Sequence, residues 1–291
     1  MKKLVLLLSL MIGFSSPVFA GCDYSTYCPE KAYDVSTKMS QMISKGTGAT
    51  FLAEKVAQSI IKKQLKYATD ENFDVSLKSY SFKDLYQGRF RSMKISGKNL
   101  NIEGVHLTSL ELKTLCDFNY IERAGDSIKF KENMAMGFST EISDVDLSKT
   151  MKTNGYLDKL NCVNVEGCGV TLFKLSGASV NIKKNKLYFT VKVTSQIFLA
   201  KPIDLVIATD LKVEDGRIVL TKIDFGNLPK GIDLSRVAYN LNAMNPLLFS
   251  LNVLENENTK MCIKSVNIVG DKITVKGDIL IPKNSVTNQK H

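Results

Sequence analysis

Six cysteines carry the most distinctive side-chain chemistry of this sequence, because cysteine forms disulfides or binds metal ions: Cys22, Cys28, Cys116, Cys162, Cys168 and Cys262. An even number of cysteines in a chain with an export signal favours disulfides. Several connectivities are open, and short sequence distance favours the pairs Cys22–Cys28 and Cys162–Cys168, which leaves Cys116–Cys262. A zinc site is not expected, since the cysteines have neither a Cys-x2-Cys spacing nor a nearby histidine.

Candidate catalytic groups are few. Of the two histidines, His291 ends the chain, so a Ser-His-Asp or Cys-His system would depend on His106 alone. His106 lies in an alternating Val-His-Leu segment, which is typical of a surface or hydrogen-bonded core histidine on a strand. The best carboxylate pair, Asp144 and Asp146, would share one face of an extended segment, but the Asp-x-Asp spacing is common by chance. We expect no enzyme activity, no cofactor and no metal site.

The first twenty residues have the three parts of a secretory signal peptide. A positive start at Lys2 and Lys3 is followed by an apolar segment over 4–14 and by a small-residue cleavage site that ends at Ala20. No later stretch is long and apolar enough to span a bilayer. The sequence therefore predicts a secreted protein or one of the bacterial periplasm or cell envelope.

A second interpretation of the same segment is a lipid anchor. Residues 19–22, Phe-Ala-Gly-Cys, loosely resemble the site at which lipoproteins are acylated, with phenylalanine where leucine is usual. Acylation of Cys22 would leave five cysteines, an odd number. The even count therefore favours cleavage after Ala20 and an exported protein without an anchor.

The formal net charge of +10 raises the question of an anionic partner. Nucleic acid is not expected, because the basic residues are scattered among acidic ones and no run of Lys and Arg reaches five. The charge favours an ordinary solvated surface. Peripheral contact with an anionic membrane is the functional alternative.

The N-terminal part of the chain is expected to be helical. Within an irregular extension over 21–48, the segment 33–43 has the pattern of a short helix. The clearest helix covers 50–68, where apolar residues recur at steps of four or five and lysines fill the remaining face. The apolar positions are Met39, Met42 and Ile43 in the first helix and Leu52, Val56, Ile60, Ile61 and Leu65 in the second.

After residue 73 the apolar period changes to two, which predicts an antiparallel sheet with one dry face. Hairpins are expected where two strand patterns flank a short turn, over 100–107, 180–187, 211–218 and 266–273. Short helices are expected over 148–160 and 232–248, the second stopped or kinked at Asn245-Pro246. The tail over 283–291 is expected to be disordered.

One long helix and two weaker ones must cover the dry face of about ten strands, so we predict an α+β fold in which a long curved antiparallel sheet wraps around the long helix. This would form a single domain over 49–282 with an apolar groove or tube, and an ordinary packed core is the equally weighted alternative. The side chains predicted to line the groove are Leu52, Val56, Ile60, Leu85, Phe90, Met93, Ile95, Leu110, Leu112, Leu187, Phe189, Val191, Val193, Leu205 and Ile207.

Three segments resemble the LmeA-like phospholipid-binding family. Residues 73–93 carry Leu85 and then Gly-Arg-Phe over 88–90, before a strand; 96–107 and 211–220 resemble later motifs of that family. The similarity covers roughly 50–282 and does not include the cysteines or the N-terminal extension. It implies a tubular, TULIP-like lipid-binding fold in an exported bacterial protein, without catalytic residues that could be transferred.

The leading hypothesis is therefore an exported envelope protein that binds, and in one version transfers, a phospholipid or another acyl lipid. Arg89 is the candidate contact to a phosphate headgroup, with a solvated arginine as the alternative. The competing hypothesis is a structural or adhesive β-rich envelope protein without a ligand.

Overall fold

The computed structural model describes residues 22–124, 127–154, 156, 173–195, 203–226, 245–251, 254 and 259–288. These residues form an α+β fold of mainly antiparallel strands, which confirms the predicted class. The helices are a short 3₁₀ helix Tyr24–Tyr27, α1 Lys38–Gly46, α2 Ala49–Thr69, α3 Phe82–Tyr86, α4 Asp144–Thr150 and α5 Pro246–Leu251. The strands are β1 Phe73–Lys78, β2 Arg89–Phe90, β3 Ser92–Ile102, β4 Val105–Thr114, β5 Asn119–Ala124, β6 Ser127–Phe130, β7 Met134–Ser143, β8 Phe173–Lys183, β9 Lys186–Ser195, β10 Ile203–Glu214, β11 Arg217–Phe225, β12 Lys260–Val269, β13 Lys272–Ile281 and β14 Val286–Asn288.

These strands form three sheets, not the single long sheet predicted from the sequence. The six-stranded sheet has the order β1-β3-β4-β7-β13-β12, and two four-stranded sheets have the orders β11-β10-β9-β8 and β14-β6-β5-β2. All four predicted hairpins are present, each with a two-residue turn. Positive φ angles at the turn residues explain these connections, because such turns match the twist of paired strands. The residues concerned are Glu103, Gly104, Lys184, Asn185, Asp215, Gly216 and Gly270.

A shared hydrophobic core joins the six-stranded sheet to the sheet of β8–β11. Leu107 and Ile142 come from the first sheet and Leu187 and Ile207 from the second, and all four are almost completely buried. A smaller cluster around Phe90 connects the six-stranded sheet to the third sheet. Strand alternation thus places apolar side chains between facing sheets.

Helix α2 was expected inside the sheet, and the structure places it along the free edge of β1. The carboxylate of Glu54 accepts a hydrogen bond of 2.7 Å from the backbone N–H of Ser79, just after β1. The amide of Gln58 donates one of 3.2 Å to the carbonyl of Leu77. Unpaired edge groups must be satisfied or covered, so α2 turns polar side chains toward the sheet edge.

Helix α4 likewise satisfies backbone groups along the edge strand β8. The hydroxyl of Ser148 bonds both to the N–H of Val180, at 2.9 Å, and to its carbonyl, at 3.0 Å. Asp144 accepts a bond of 3.4 Å from the N–H of Ile182. The Asp-x-Asp pair lies in the first turn of α4 and not on a strand. In that turn Asp146 forms a capping box with Ser143.

Two disulfides differ from the predicted pairing. The bonds are Cys22–Cys262 and Cys28–Cys116, with Cα–Cα distances of 5.4 and 5.3 Å. Cys22–Cys28 and Cys116–Cys262 are therefore wrong. The reason is that the chain from Cys22 folds back over the sheets, so that neighbouring cysteines meet strands far away in sequence. Cys162 and Cys168 lie outside the described residues, and their pairing stays a prediction.

Three further observations bear on the sequence predictions for the last helix, the tail and Cys22. Pro246 begins α5, because proline suits the first helical position, and Asn245 Oδ1 caps the helix by accepting a 3.0 Å bond from the N–H of Leu247. The part of the predicted helix over 232–244 lies outside the described residues. The tail is not disordered over 286–288, which form β14 beside β6. The pairing of Cys22 with Cys262 occupies the thiol that lipoprotein acylation requires.

Candidate functional site

The first half of the candidate site is helix α1, which exposes its apolar side. Met39, Met42 and Ile43 follow each other at helical spacing and are 74, 71 and 61% exposed. The hydroxyl of Thr37 caps the helix by accepting a bond from the N–H of Ser40. No residue of α1 is buried. Its apolar side is therefore not used to hold the described part of the protein together.

The second half is helix α2, whose most apolar stripe also faces solvent. Leu52, Val56 and Ile60 recur every four residues and are 64, 60 and 56% exposed. The prediction that these three side chains face an interior is wrong. The helix packs through its opposite side, where Glu54 and Gln58 bind the edge of β1 and half-buried Ile61 and Leu65 pack against the core.

Hydrogen bonds hold α1, α2 and α3 next to one another. The hydroxyl of Ser44 in α1 lies 2.6 Å from that of Thr50 in α2 and accepts a bond of 3.2 Å from the N–H of Phe82 in α3. Between α1 and α2 the chain turns at Gly48, whose φ is +74°. We call the exposed apolar side chains of these helices the apolar helical surface; they are Met39, Met42, Ile43, Phe51, Leu52, Val56, Ile60 and Phe82.

The charges around this surface are almost all positive. Between residues 38 and 69 the chain has six lysines and a single acidic residue, Glu54, which is buried against β1. Lys62 forms an ion pair of 3.0 Å with Asp74. The lysines are Lys38, Lys45, Lys55, Lys62, Lys63 and Lys66. The apolar stripe of α2 is thus bordered by ammonium groups, with Lys55 three residues after Leu52 and Lys63 three after Ile60.

The base of the surface is fixed by a buried carboxylate. Asp84 in α3 is fully buried and accepts hydrogen bonds from the N–H of Ser36, at 2.8 Å, and from the hydroxyl of Ser81, at 2.6 Å. Ser36 directly precedes the cap of α1. The start of α1 is therefore tied to α3 through polar contacts, which leave its apolar side free of the sheets.

Arg89, the predicted headgroup contact, is neither exposed nor solvated. Its side chain is 7% exposed and pairs with the carboxylate of Asp34, and its guanidinium lies 4.8 Å from the centre of the Tyr120 ring. The nearby Tyr33 hydroxyl donates to Glu132 at 2.6 Å, and burial followed by this contact raises the pKa of Tyr33 to about 12. Arg89 therefore positions the N-terminal segment ahead of α1.

The other predicted lining residues lie in the body of the protein. Phe90, Ile95, Leu110, Leu187, Phe189, Val191 and Ile207 are buried, and Leu85, Met93, Leu112 and Leu205 are half-buried. The side chain of Val193 lies outside the described residues. The structure brings most of these residues into the hydrophobic clusters between sheets. It separates them from Leu52, Val56 and Ile60.

A cleft of about 690 Å³ lies on the sheet of β8–β11 and has a different chemistry. Its lining combines Val180 and Val206 with two lysines and four further polar side chains, which are Ser179, Asn181, Tyr188 and Thr190. Hydroxyl, amide and ammonium groups are poor neighbours for an acyl chain. None of the predicted lining residues contributes to it.

The two carboxylates considered for catalysis have structural partners. The hydroxyl of Thr108 donates to Asp146, and the N–H of Ile182 donates to Asp144. At His106 it is the backbone N–H that bonds, donating to the hydroxyl of Thr150 at 2.9 Å. Burial alone would raise the pKa of Asp146, but hydrogen bonds from Thr108 and Ser143 bring it below its usual value. Burial, followed by the charge of Lys149, lowers the pKa of His106.

The sequence pattern contained part of this site. Met39, Met42 and Ile43 were placed on one helix side by their spacing, but the exposure of Phe51 and Phe82 was not predicted. A usable signal was the polar line of Thr50, Glu54 and Gln58 on α2. Such a line faces either water or the polar edge of a sheet, and only the second leaves the apolar stripe outside.

Comparison with known proteins gives no match to a family model, a curated protein or a solved structure. Within the described residues, no helix has the length and apolar character of a membrane span. The same residues contain no cluster of three or more metal-ligating side chains. The two disulfides are typical of an exported protein in an oxidising environment.

Proposed function

We propose that this protein is an exported lipid-binding protein of the bacterial cell envelope, whose ligand is a phospholipid or another acyl lipid. The observation that carries the proposal is the apolar helical surface. Soluble proteins rarely expose large contiguous apolar areas, and such areas mark interaction sites. Two helices that direct Met, Leu, Val and Ile side chains to solvent offer methylene contacts and few hydrogen-bonding groups, which suits an acyl chain.

The disulfides and the predicted signal peptide support the export part of the proposal. The resemblance of residues 73–93, 96–107 and 211–220 to the LmeA-like family supports the lipid part. The same resemblance leads us to a more detailed proposal for the binding site, in which a curved TULIP-like sheet encloses the lipid beside the long helix. In that proposal the protein also transfers the lipid between membranes.

The proposal is tested by purifying the exported protein without detergent and analysing an organic extract by mass spectrometry. We expect a phospholipid or related acyl lipid in a defined ratio to protein, and uptake of a fluorescent phospholipid from vesicles. A protein that yields no lipid and takes up no fluorescent lipid would contradict the proposal. That result would favour a structural or adhesive envelope protein.

Val191→Trp tests whether lipid enters between the sheets. Val191 is 5% exposed on β9. A lipid-filled interior accommodates the indole at the expense of bound lipid, so the fold persists and lipid recovery falls. A packed interior instead loses about 1–3 kcal/mol of stability through overpacking, with lipid recovery per folded molecule unchanged.

A further inference from the structure

We infer that the apolar helical surface docks the protein on an anionic phospholipid bilayer, with α1 and α2 lying in the interface. This inference rests on the proposed function, because it names the membrane from which the lipid would be taken or to which it would be delivered. Helices that lie in a bilayer interface combine an apolar side with lysines on the flanking side. Both helices meet this description in the folded protein.

The contacts show that the apolar side is available to a membrane. α1 and α2 use Ser44, Thr50, Glu54 and Gln58 for their hydrogen bonds with each other, with α3 and with β1, and α2 also packs Ile61 and Leu65 against the core. These groups are all on the inner sides of the helices. The outer sides carry Met42 and Val56, which are free to enter the acyl boundary without any rearrangement of the core.

The charge pattern favours an anionic bilayer over a second copy of the chain. A symmetric dimer through this surface would bring the six lysines between residues 38 and 69 against the same six lysines. Asp74 compensates Lys62, but no exposed acidic side chain lies in that range to compensate the other five. Anionic lipid phosphates supply the missing negative charge, and lysine near such a surface strengthens binding by about fivefold per residue.

The test is co-sedimentation with vesicles of equal parts phosphatidylglycerol and phosphatidylcholine, compared with vesicles of phosphatidylcholine alone. We expect the protein to sediment with the anionic vesicles, to bind the neutral ones more weakly, and to be released by salt. The double variant Val56→Glu/Ile60→Glu should bind at least about tenfold more weakly, since each buried methylene adds to affinity. Val56→Ser/Ile60→Ser removes the apolar contacts without adding charge and should also weaken binding.

A second variant isolates the lysines. Lys55→Gln/Lys63→Gln/Lys66→Gln should lower the affinity for anionic vesicles by roughly fivefold per lysine and leave the neutral vesicles unaffected. Two control variants make the same kinds of substitution at sites outside α1 and α2, and should bind vesicles like the unmodified protein. Val269→Glu changes a 70% exposed valine on β12, the opposite edge of the six-stranded sheet from α2, and Lys183→Gln/Lys184→Gln removes two exposed lysines on the β8–β9 hairpin.

The inferred docking surface would be overturned if the protein did not bind vesicles, or if all variants bound them equally well. So would a dimer in analytical ultracentrifugation that Val56→Glu/Ile60→Glu dissociates while vesicle binding is unchanged, because the surface would then belong to a second copy. Lipid recovery from the same preparations separates the two proposals. Bound lipid without vesicle binding defeats only the docking surface, and vesicle binding without bound lipid defeats only the carrier function.

Discussion

The core between the sheets and the apolar helical surface contain the same residue types in opposite environments. Leu187 on β9 is fully buried against the six-stranded sheet, whereas Leu52 on α2 is 64% exposed. A strand must bury its apolar face against a second layer. Helix α2 is held by polar bonds to a sheet edge and by Ile61 and Leu65, which pack against the core. Its outer stripe of Leu52, Val56 and Ile60 therefore contributes little to folding and is available for a ligand.

The largest effect expected from this comparison concerns two leucines. Leu187→Ala should lower the free energy of unfolding by about 3–5 kcal/mol, because it removes contacts and leaves a cavity in the shared core. Leu52→Ala should change it by no more than about 0.5 kcal/mol. Urea denaturation of both variants measures the difference. Similar losses for the two variants would mean that the helical stripe is part of the core after all.

The second prediction concerns the segment that leads into α1. Cys28→Ala/Cys116→Ala should lower stability by about 2–4 kcal/mol through loss of the bond that ties this segment to the end of β4. Peptide mapping without reduction should find Cys22 linked to Cys262 and Cys28 to Cys116. A peptide that links Cys22 to Cys28 would contradict the structure and restore the pairing predicted from sequence distance.

The sequence predicted more of the strands than of their assembly. Alternation and turn residues located the four hairpins, because both signals are local. The helix over 50–68 was also predicted to within a residue of Ala49–Thr69. Which side of that helix packs depends on the polar edge of β1, a feature of the assembled sheet. Disulfide partners such as Cys22 and Cys262 likewise depend on tertiary contacts that no local pattern encodes.

The third prediction tests the polar attachment of α2. Glu54→Ala should lower stability by about 1–3 kcal/mol, since the N–H of Ser79 would remain buried without its acceptor. Glu54→Gln keeps a carbonyl oxygen at this position and should lose clearly less. Thermal denaturation distinguishes them. Equal loss in the two variants would show that the charge of Glu54, and not its acceptor oxygen, matters at the edge.

The smallest effect concerns His106, a residue of β4 whose backbone N–H bonds to Thr150 of α4. Burial lowers its pKa in the folded protein, so the unfolded chain binds a proton more readily. The contribution of neutral His106 to the free energy of unfolding is therefore fully present above the usual histidine pKa of about 6.5. It decreases as the pH falls below that value. His106→Gln should flatten the stability profile below about pH 6.5. An unchanged slope would assign that pH dependence to other groups.

The most direct test of the apolar helical surface uses the absence of tryptophan from the chain. A single Val56→Trp reporter on α2 should show a blue-shifted emission when phosphatidylglycerol-containing vesicles are added, because the indole leaves water for the acyl boundary. A Val269→Trp reporter on β12 should keep its emission. A shift at both positions, or at neither, would contradict a membrane-facing role for α1 and α2.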